Sequence, residues 1–314
     1  MMRSISILAA GLIVLMGCSR QGPDGGPGGA RSSGAASSAA ASGAATVGLS
    51  ISTMDNPFFV ALRDGALAEA GAVGINLIAV DAQNDPAKQI AGVEDLIQKK
   101  VPVILLNPTD SDAVANVVKE ANAAGIKVIS LDRAVNGAEV SSHIASDNVA
   151  GGKMAGEFLL KKLGGKGRLV ELEGIPGSSA ARERGQGFDS VVVGQPGVKL
   201  LAKQPANFDR AQGLAVMENI LQGNKDIQGV FAQNDEMALG AERAIEEAGL
   251  KNVAIVGFDA TPDALAAVKA GKLAATVQQK PGLIGKAGVD TAKLLIDGKP
   301  VDLSIPVPLA LVTQ

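Results

Sequence analysis

Val103-Ile104-Leu105-Leu106-Asn107-Pro108-Thr109-Asp110 decides the fold. An unbroken apolar run has no solvent face, so it reads as a strand buried on both sides, the habit of parallel sheets covered by helices. The run stops on the planar amide of Asn107. The same pattern recurs along the chain, in LSIS…NPFF (Asn56, Phe58, Phe59), VISLDR (Asp132, Arg133), VELEG…RERG (Arg184), VFAQND (Asn234, Asp235), AIVGFD (Asp259) and AATVQQ (Gln278, Gln279). In open parallel α/β sheets, ligands sit in the crevice outside the carboxyl ends of the strands. These ends therefore aim Asn, Asp, Arg and Gln groups, with Phe rings, at one place. Asp accepts, Arg donates in a fixed fork, and Asn and Gln do both, which matches the hydroxyls of a small polyhydroxylated ligand.

Around these ends, strand and helix patterns alternate from Thr46 onward. Asn56-Pro57 predicts a helix start, with Asn as N-cap and Pro in the first turn. Gly71 and Gly74 mark its end. Asp110 is expected to cap a further helix running to about Ala124. Regular βα alternation argues for parallel sheets with right-handed crossovers. About twelve strands exceed what one open sheet holds comfortably, so two doubly wound parallel-sheet lobes are expected.

The N-terminus reads differently. Arg3 precedes an apolar stretch from Ile5 to Met16, which has signal-peptide architecture over residues 1–17 and is short for a membrane span. It ends in Leu15-Met16-Gly17-Cys18, which resembles a bacterial lipobox. Cys18 is the only Cys of the chain and stands where lipidation would occur. The segment up to residue 45 is almost all Gly, Ala, Ser and Pro, so it buries too little apolar surface to fold. It reads as a tether with a reach of roughly 30 Å. The expected location is extracytoplasmic, with the membrane reached through the lipid anchor only.

Composition narrows the chemistry. The net charge of −3 and the lack of a basic stripe argue against nucleic acid. One Cys and one His exclude an intrachain disulfide and a Cys-rich zinc site, and the scattered carboxylates suggest no metal. His143 lies in Ser141-Ser142-His143-Ile144-Ala145-Ser146-Asp147, but no G-x-S-x-G elbow accompanies it, so a structural role is expected. Asp132 and Asp259 could supply the carboxyl pair of a glycosidase. However, Arg133 follows Asp132, and a neighbouring cation favours an ionised acceptor over a general acid. No Walker loop or dinucleotide fingerprint occurs. No cofactor is expected, and the chain reads as a binder rather than an enzyme.

Several long stretches carry a resemblance: Asn56-Pro57-Phe58-Phe59, Leu106-Asn107-Pro108-Thr109-Asp110, Leu131-Asp132-Arg133, Ala180-Ala181-Arg182-Glu183-Arg184-Gly185, Phe208-Asp209-Arg210, Phe231-Ala232-Gln233-Asn234-Asp235 and Val256-Gly257-Phe258-Asp259. From Val47 onward the chain resembles the type I periplasmic sugar-binding proteins of bacterial ABC transporters. The resemblance implies two lobes, 46–146 plus 280–308 and 147–279 plus 309–314, joined by a three-crossing hinge. It implies that Phe59 and Phe208 stack on the sugar, with Phe58 lining the same pocket. Asn56, Asn107, Asp132 and Arg133 would be polar contacts from the first lobe. Arg184, Asn234, Asp259 and Gln279 would be those from the second lobe and hinge. Of the Gln278–Gln279 pair the resemblance selects Gln279, while Asp235 reads as a helix cap. The implied ligand is a monosaccharide, D-ribose or a near relative such as allose. The implied partners are an ABC permease and, in a sensing role, a chemoreceptor, with the chain acting as a monomer.

Overall fold

A computed structural model describes residues 44–314. The signal-like segment, Cys18 and the tether up to residue 43 lie outside the described residues. The first half runs β1 (Thr46–Ile51), α1 (Pro57–Val73), β2 (Asn76–Asp81), α2 (Pro86–Gln98), β3 (Val103–Leu106), α3 (Ala115–Ala123), β4 (Lys127–Leu131) and β5 (Ser142–Ala145). Next come α4 (Asn148–Lys162), β6 (Gly167–Glu173), α5 (Ser179–Val192), β7 (Val198–Pro205), α6 (Arg210–Gly223) and β8 (Gly229–Ala232). The chain ends with α7 (Asp235–Glu247), β9 (Ala254–Asp259), α8 (Pro262–Lys269), β10 (Ala275–Gln278), α9 (Pro281–Ile296), β11 (Ser304–Pro306) and β12 (Ala310–Thr313).

These strands form two six-stranded sheets. The first is ordered β2-β1-β3-β4-β5-β11 and is parallel throughout. The second is ordered β7-β6-β8-β9-β10-β12, with only β12 antiparallel. Five strands of each sheet are thus wound in the same order. In both, the winding reverses beside the first strand, the switch point where α/β sheets open a crevice. Central strands are buried on both faces, as β3 and β8 illustrate, whereas edge strand β2 has no fully buried residue.

Helix ends follow their local chemistry. The Asn56 side chain accepts from Phe58 N at 2.9 Å, with Pro57 opening α1 and Gly74 closing it in a left-handed conformation. Gly71 lies inside α1 rather than at its end. Asp110 caps a turn instead of a helix: its Oδ1 accepts from Asp112 N and Ala113 N, and α3 starts only at Ala115.

The chain passes between the sheets three times: between β5 and α4, between β10 and α9, and between β11 and β12. β5, β11 and β12 are three or four residues long, too short to carry a readable period. His143 lies on β5, where its Nδ1 is 2.8 Å from Ser130 Oγ and its backbone N donates to Leu303 O of the crossing segment. Its surroundings are those of a sheet residue.

Candidate ligand-binding cleft

Side chains from both halves meet in one small cavity. Asn56, Phe58, Phe59, Asp132 and Arg133 line it from the first half. Ala180, Arg184, Phe208, Asn234, Asp259 and Gln279 line it from the second. Hydrogen bonds tie the halves together beside it. Ser111 N donates to Gly177 O (2.9 Å), Ser179 N to Ser111 Oγ (3.1 Å) and Ala134 N to Ser179 Oγ (2.8 Å).

Asp132 and Arg133 are adjacent, and in a regular strand they would face opposite ways. The backbone prevents this. Asp132 has φ 63°, and Arg133 N donates to Leu131 O at 2.6 Å, which closes a tight three-residue turn after β4. Both side chains then reach the cavity. Phe208 (φ 61°) and Asp259 (φ 121°) are also left-handed, although neither is Gly. Such conformations cost of order 1–3 kcal/mol each and cluster at ligand sites. Asn234 helps to hold one of them: its Nδ2 donates to Phe208 O at 3.1 Å, while its Oδ1 caps α7 at Met237 N.

The charges balance within the cavity wall. Arg133 Nε lies 3.8 Å from Asp132 Oδ2, and Arg184 Nη1 lies 3.9 Å from Asp259 Oδ1. Burial pushes the Asp132 carboxyl up, against the pull of Arg133 and Arg184. Burial likewise raises Asp259, with Arg184 opposing. Desolvation brings Arg133 down to about 10, which leaves it cationic at neutral pH. Both guanidiniums also rest on rings: Arg133 is 5.0 Å from Phe59 and 5.3 Å from Phe208, and Arg184 is 3.8 Å from Phe258. Three buried atoms of lining residues have no protein hydrogen-bond partner: Asp132 Oδ1, Arg133 Nε and Gln279 Oε1. Buried polar atoms are normally paired, so this donor and these two acceptors are free to make hydrogen bonds with a polar molecule in the cavity.

The geometry differs from three of the expectations from the sequence. Asn107 does not line the cavity. It is fully buried, its Oδ1 accepts from Ser52 N and Oγ, and its Nδ2 donates to Leu131 O and, at 3.4 Å, to Asp132 Oδ2. Its amide is taken up chiefly by Ser52 and Leu131, with one weaker contact to Asp132. Asp235 is not a cap; Asn234 takes that role, and the Asp235 carboxylate is spent on Thr261 and Thr276. Arg184 is also no strand end, since it projects from α5. Ala180 was not foreseen as a lining residue, because a small apolar residue carries no chemical signal. Asn148, whose Oδ1 accepts from Arg184 Nε at 2.9 Å, was missed for the same reason as most helix-start Asn residues: it looks like a cap.

A family profile described as periplasmic binding protein domain matches residues 47–300. The chain belongs to this family. It is 54% identical over 269 residues to the ribose import binding protein RbsB of Escherichia coli, covering 86% of this chain and 90% of that one. It is 51% identical to RbsB of Bacillus subtilis over 86% and 87% of the two chains. Among solved structures, an ABC transporter periplasmic solute-binding protein from Actinobacillus succinogenes with bound D-allose superposes with a TM-score of 0.80 at 32% identity, covering 86% of this chain and 97% of that one. A solute-binding protein from Bacillus halodurans with bound myo-inositol reaches 0.83 at 34% identity, over 87% and 95%. No helix among the described residues is long and apolar enough to cross a membrane.

In this periplasmic binding protein, a buried network stands behind Arg184. Arg184 Nη1 donates to Gln233 O (2.7 Å), and Gln233 Nε2 donates to Glu171 Oε1 (2.7 Å). Lys203 Nζ sits 3.2 Å from Glu171 Oε2 and 2.7 Å from Asp189 Oδ2. Burial nevertheless pushes Glu171 up to about 7. The folded chain therefore keeps a proton that the unfolded chain has already released. Stability from this group is full below the ordinary carboxylate range and declines as pH rises towards about 7. Across that window the loss is at most roughly 3 kcal/mol. Glu171→Gln is expected to flatten the fall of the thermal midpoint between about pH 5 and about pH 7. Asp235 is likewise pushed up to about 7 and is present in both proteins, so the difference between the two pH profiles isolates Glu171. Superimposable profiles from scanning calorimetry would contradict this account.

Proposed function

We propose that the protein is an extracytoplasmic receptor that captures D-ribose between two closing lobes and delivers it to an ABC-type permease. The observation that carries this reading is the unpaired set in the cavity wall, Asp132 Oδ1, Arg133 Nε and Gln279 Oε1. Each sugar hydroxyl donates one hydrogen bond and accepts others, so neighbouring hydroxyls can satisfy two acceptors and a donor together. Two carboxylates face two guanidiniums, so the site favours a neutral ligand over an ion. Phe59 and Phe208 offer ring faces to the apolar C–H surface. The RbsB relatives supply the identity of the sugar. D-Allose is the second candidate, because a relative of the same fold was solved with it.

The lobes are 46–146 plus 280–308 and 147–279 plus 309–314, and the three crossings act as the hinge. Contacts from both lobes to one sugar exist only in the closed state, so ligand shifts the hinge equilibrium by its differential affinity. The ligand is held without chemical change, and the receptor acts as a monomer. The closed pair of lobe surfaces is what the permease, or a chemoreceptor in a sensing role, would read. Lipidation at Cys18 would tether the receptor to the membrane; labelling with radioactive palmitate that persists in Cys18→Ala would rule this out.

A thermal-shift panel of monosaccharides tests the ligand. At a hundredfold excess over Kd, ribose should add about 2.7 kcal/mol of apparent stability. For a chain of this size that is a rise of roughly 4–6 °C in the midpoint. A panel in which ribose leaves the midpoint unmoved overturns the ribose reading, and any other sugar that moves it takes its place. Recovery of altered sugar after incubation would overturn the reading of binding without catalysis.

A further inference from the structure

Asp235 is fully buried one residue beyond the cap of α7, and it does not touch the cavity. Both of its carboxylate oxygens are committed. Oδ2 accepts from Thr261 N at 2.7 Å, and Oδ1 accepts from Thr276 Oγ1 at 2.7 Å. Thr276 Oγ1 in turn accepts from Ala260 N at 3.2 Å. Ala260 and Thr261 are the two residues that follow Asp259. One buried carboxylate thus pins two consecutive backbone amides at the end of β9, one directly and one through a hydroxyl.

The pinned segment is strained. Asp259 has φ 121° and Ala260 has φ 58°, neither of which an L side chain adopts readily. Such a turn persists only where its surroundings over-determine it. The approach of Asp235 to β9 is close: a Cβ on Gly257 would lie 2.3 Å from Asp235 Oδ1. Any charge on Asp235 opposes ionisation of Asp259 rather than favouring it. What Asp235 supplies is geometry. The same segment leads to the cavity from the other side, where Gln279 Nε2 donates to Asp259 Oδ1 at 2.9 Å.

We propose that Asp235 is a positioning residue for the sugar: acting through Thr276 and the amides of Ala260 and Thr261, it holds the left-handed turn that aims Asp259 into the cavity. This rests on the sugar-receptor reading above, and the test separates the two. The full chain carrying Thr276→Val loses the bridging hydroxyl at nearly constant shape, whereas Thr276→Ser keeps it. Thr276→Val is expected to raise the ribose Kd about tenfold and Thr276→Ser less than about threefold, in calorimetric titration. In an Asp259→Asn background, Thr276→Val should add less than about twofold, because the two act as one unit. Amide exchange at Ala260 and Thr261 should quicken about tenfold in Thr276→Val and in Asp235→Asn. If Asp235→Asn does not fold, Thr276→Val decides alone.

Unchanged exchange at both amides overturns the proposal. So does faster exchange with unchanged affinity, or a Thr276→Val effect of equal size in the Asp259→Asn background. If the wild-type chain takes no ribose, the ribose reading fails, and the same titrations are run with whichever sugar raised the thermal midpoint. If no sugar binds at all, both the receptor reading and this proposal fall.

Discussion

Arg184→Ala is expected to raise the ribose Kd by at least about thirtyfold, because truncating one member of a buried charge pair whose guanidinium is itself hydrogen-bonded costs about 2–5 kcal/mol. The guanidinium has several simultaneous duties. Its Nε donates to Asn148 Oδ1, its Nη1 donates to Gln233 O, and it lies 3.9 Å from Asp259 and 3.8 Å from the Phe258 ring. Removal leaves Asn148, Gln233 and Asp259 without their donor or counter-charge in a buried wall. Asp259, already raised by burial, rises further once Arg184 is gone and loses its value as an ionised acceptor. Arg184→Lys should rescue little, since an ammonium cannot span the same fork of acceptors. Calorimetric titration of the three proteins checks this, and an alanine variant within about threefold of wild type would remove Arg184 from the site.

Gly152→Ala is expected to destabilise the fold by about 3 kcal/mol, through overpacking at a backbone contact that cannot yield. The added Cβ would sit 2.0 Å from the carbonyl oxygen of Arg184. α4 and α5 touch there, so relief requires α5 to move, and α5 carries Arg184 into the cavity. Stability and affinity should therefore fall together, with the midpoint dropping by roughly 4–6 °C. The control is Gly71→Ala, inside α1, where an added Cβ meets nothing within 4 Å. That change should stabilise by about 0.5–1 kcal/mol, since Gly is the poorer helix former. Differential scanning calorimetry with and without ribose reads both variants. Equal effects of the two substitutions would refute the packing argument.

That glycine pair marks a boundary between what the chain reveals by itself and what it does not. Both residues are helical Gly in similar local sequence, yet the expected signs are opposite, because only the neighbouring helix distinguishes them. The same division runs through the site. Asn107 and Asp132 both end buried strands, and the sequence makes them equivalent candidates. Tertiary structure separates them, since Ser52 and Leu131 absorb the Asn107 amide and Asp132 Oδ1 stays unpaired. Asp235 reads as a cap from its place before a helix, but Thr261 and Thr276 claim its carboxylate from distant parts of the chain.

Alternation of buried strands and capped helices, read from the sequence alone, determined the α/β class, the division into two parallel sheets and the chemical character of the strand ends. Those properties depend on residue type and period, which are local. Tertiary structure decided the left-handed turns at Asp132, Phe208 and Asp259, the emergence of Arg184 from a helix, and which polar atoms remain unpaired in the cavity. These depend on backbone angles and distances between groups far apart in the chain, which packing sets and no local pattern records.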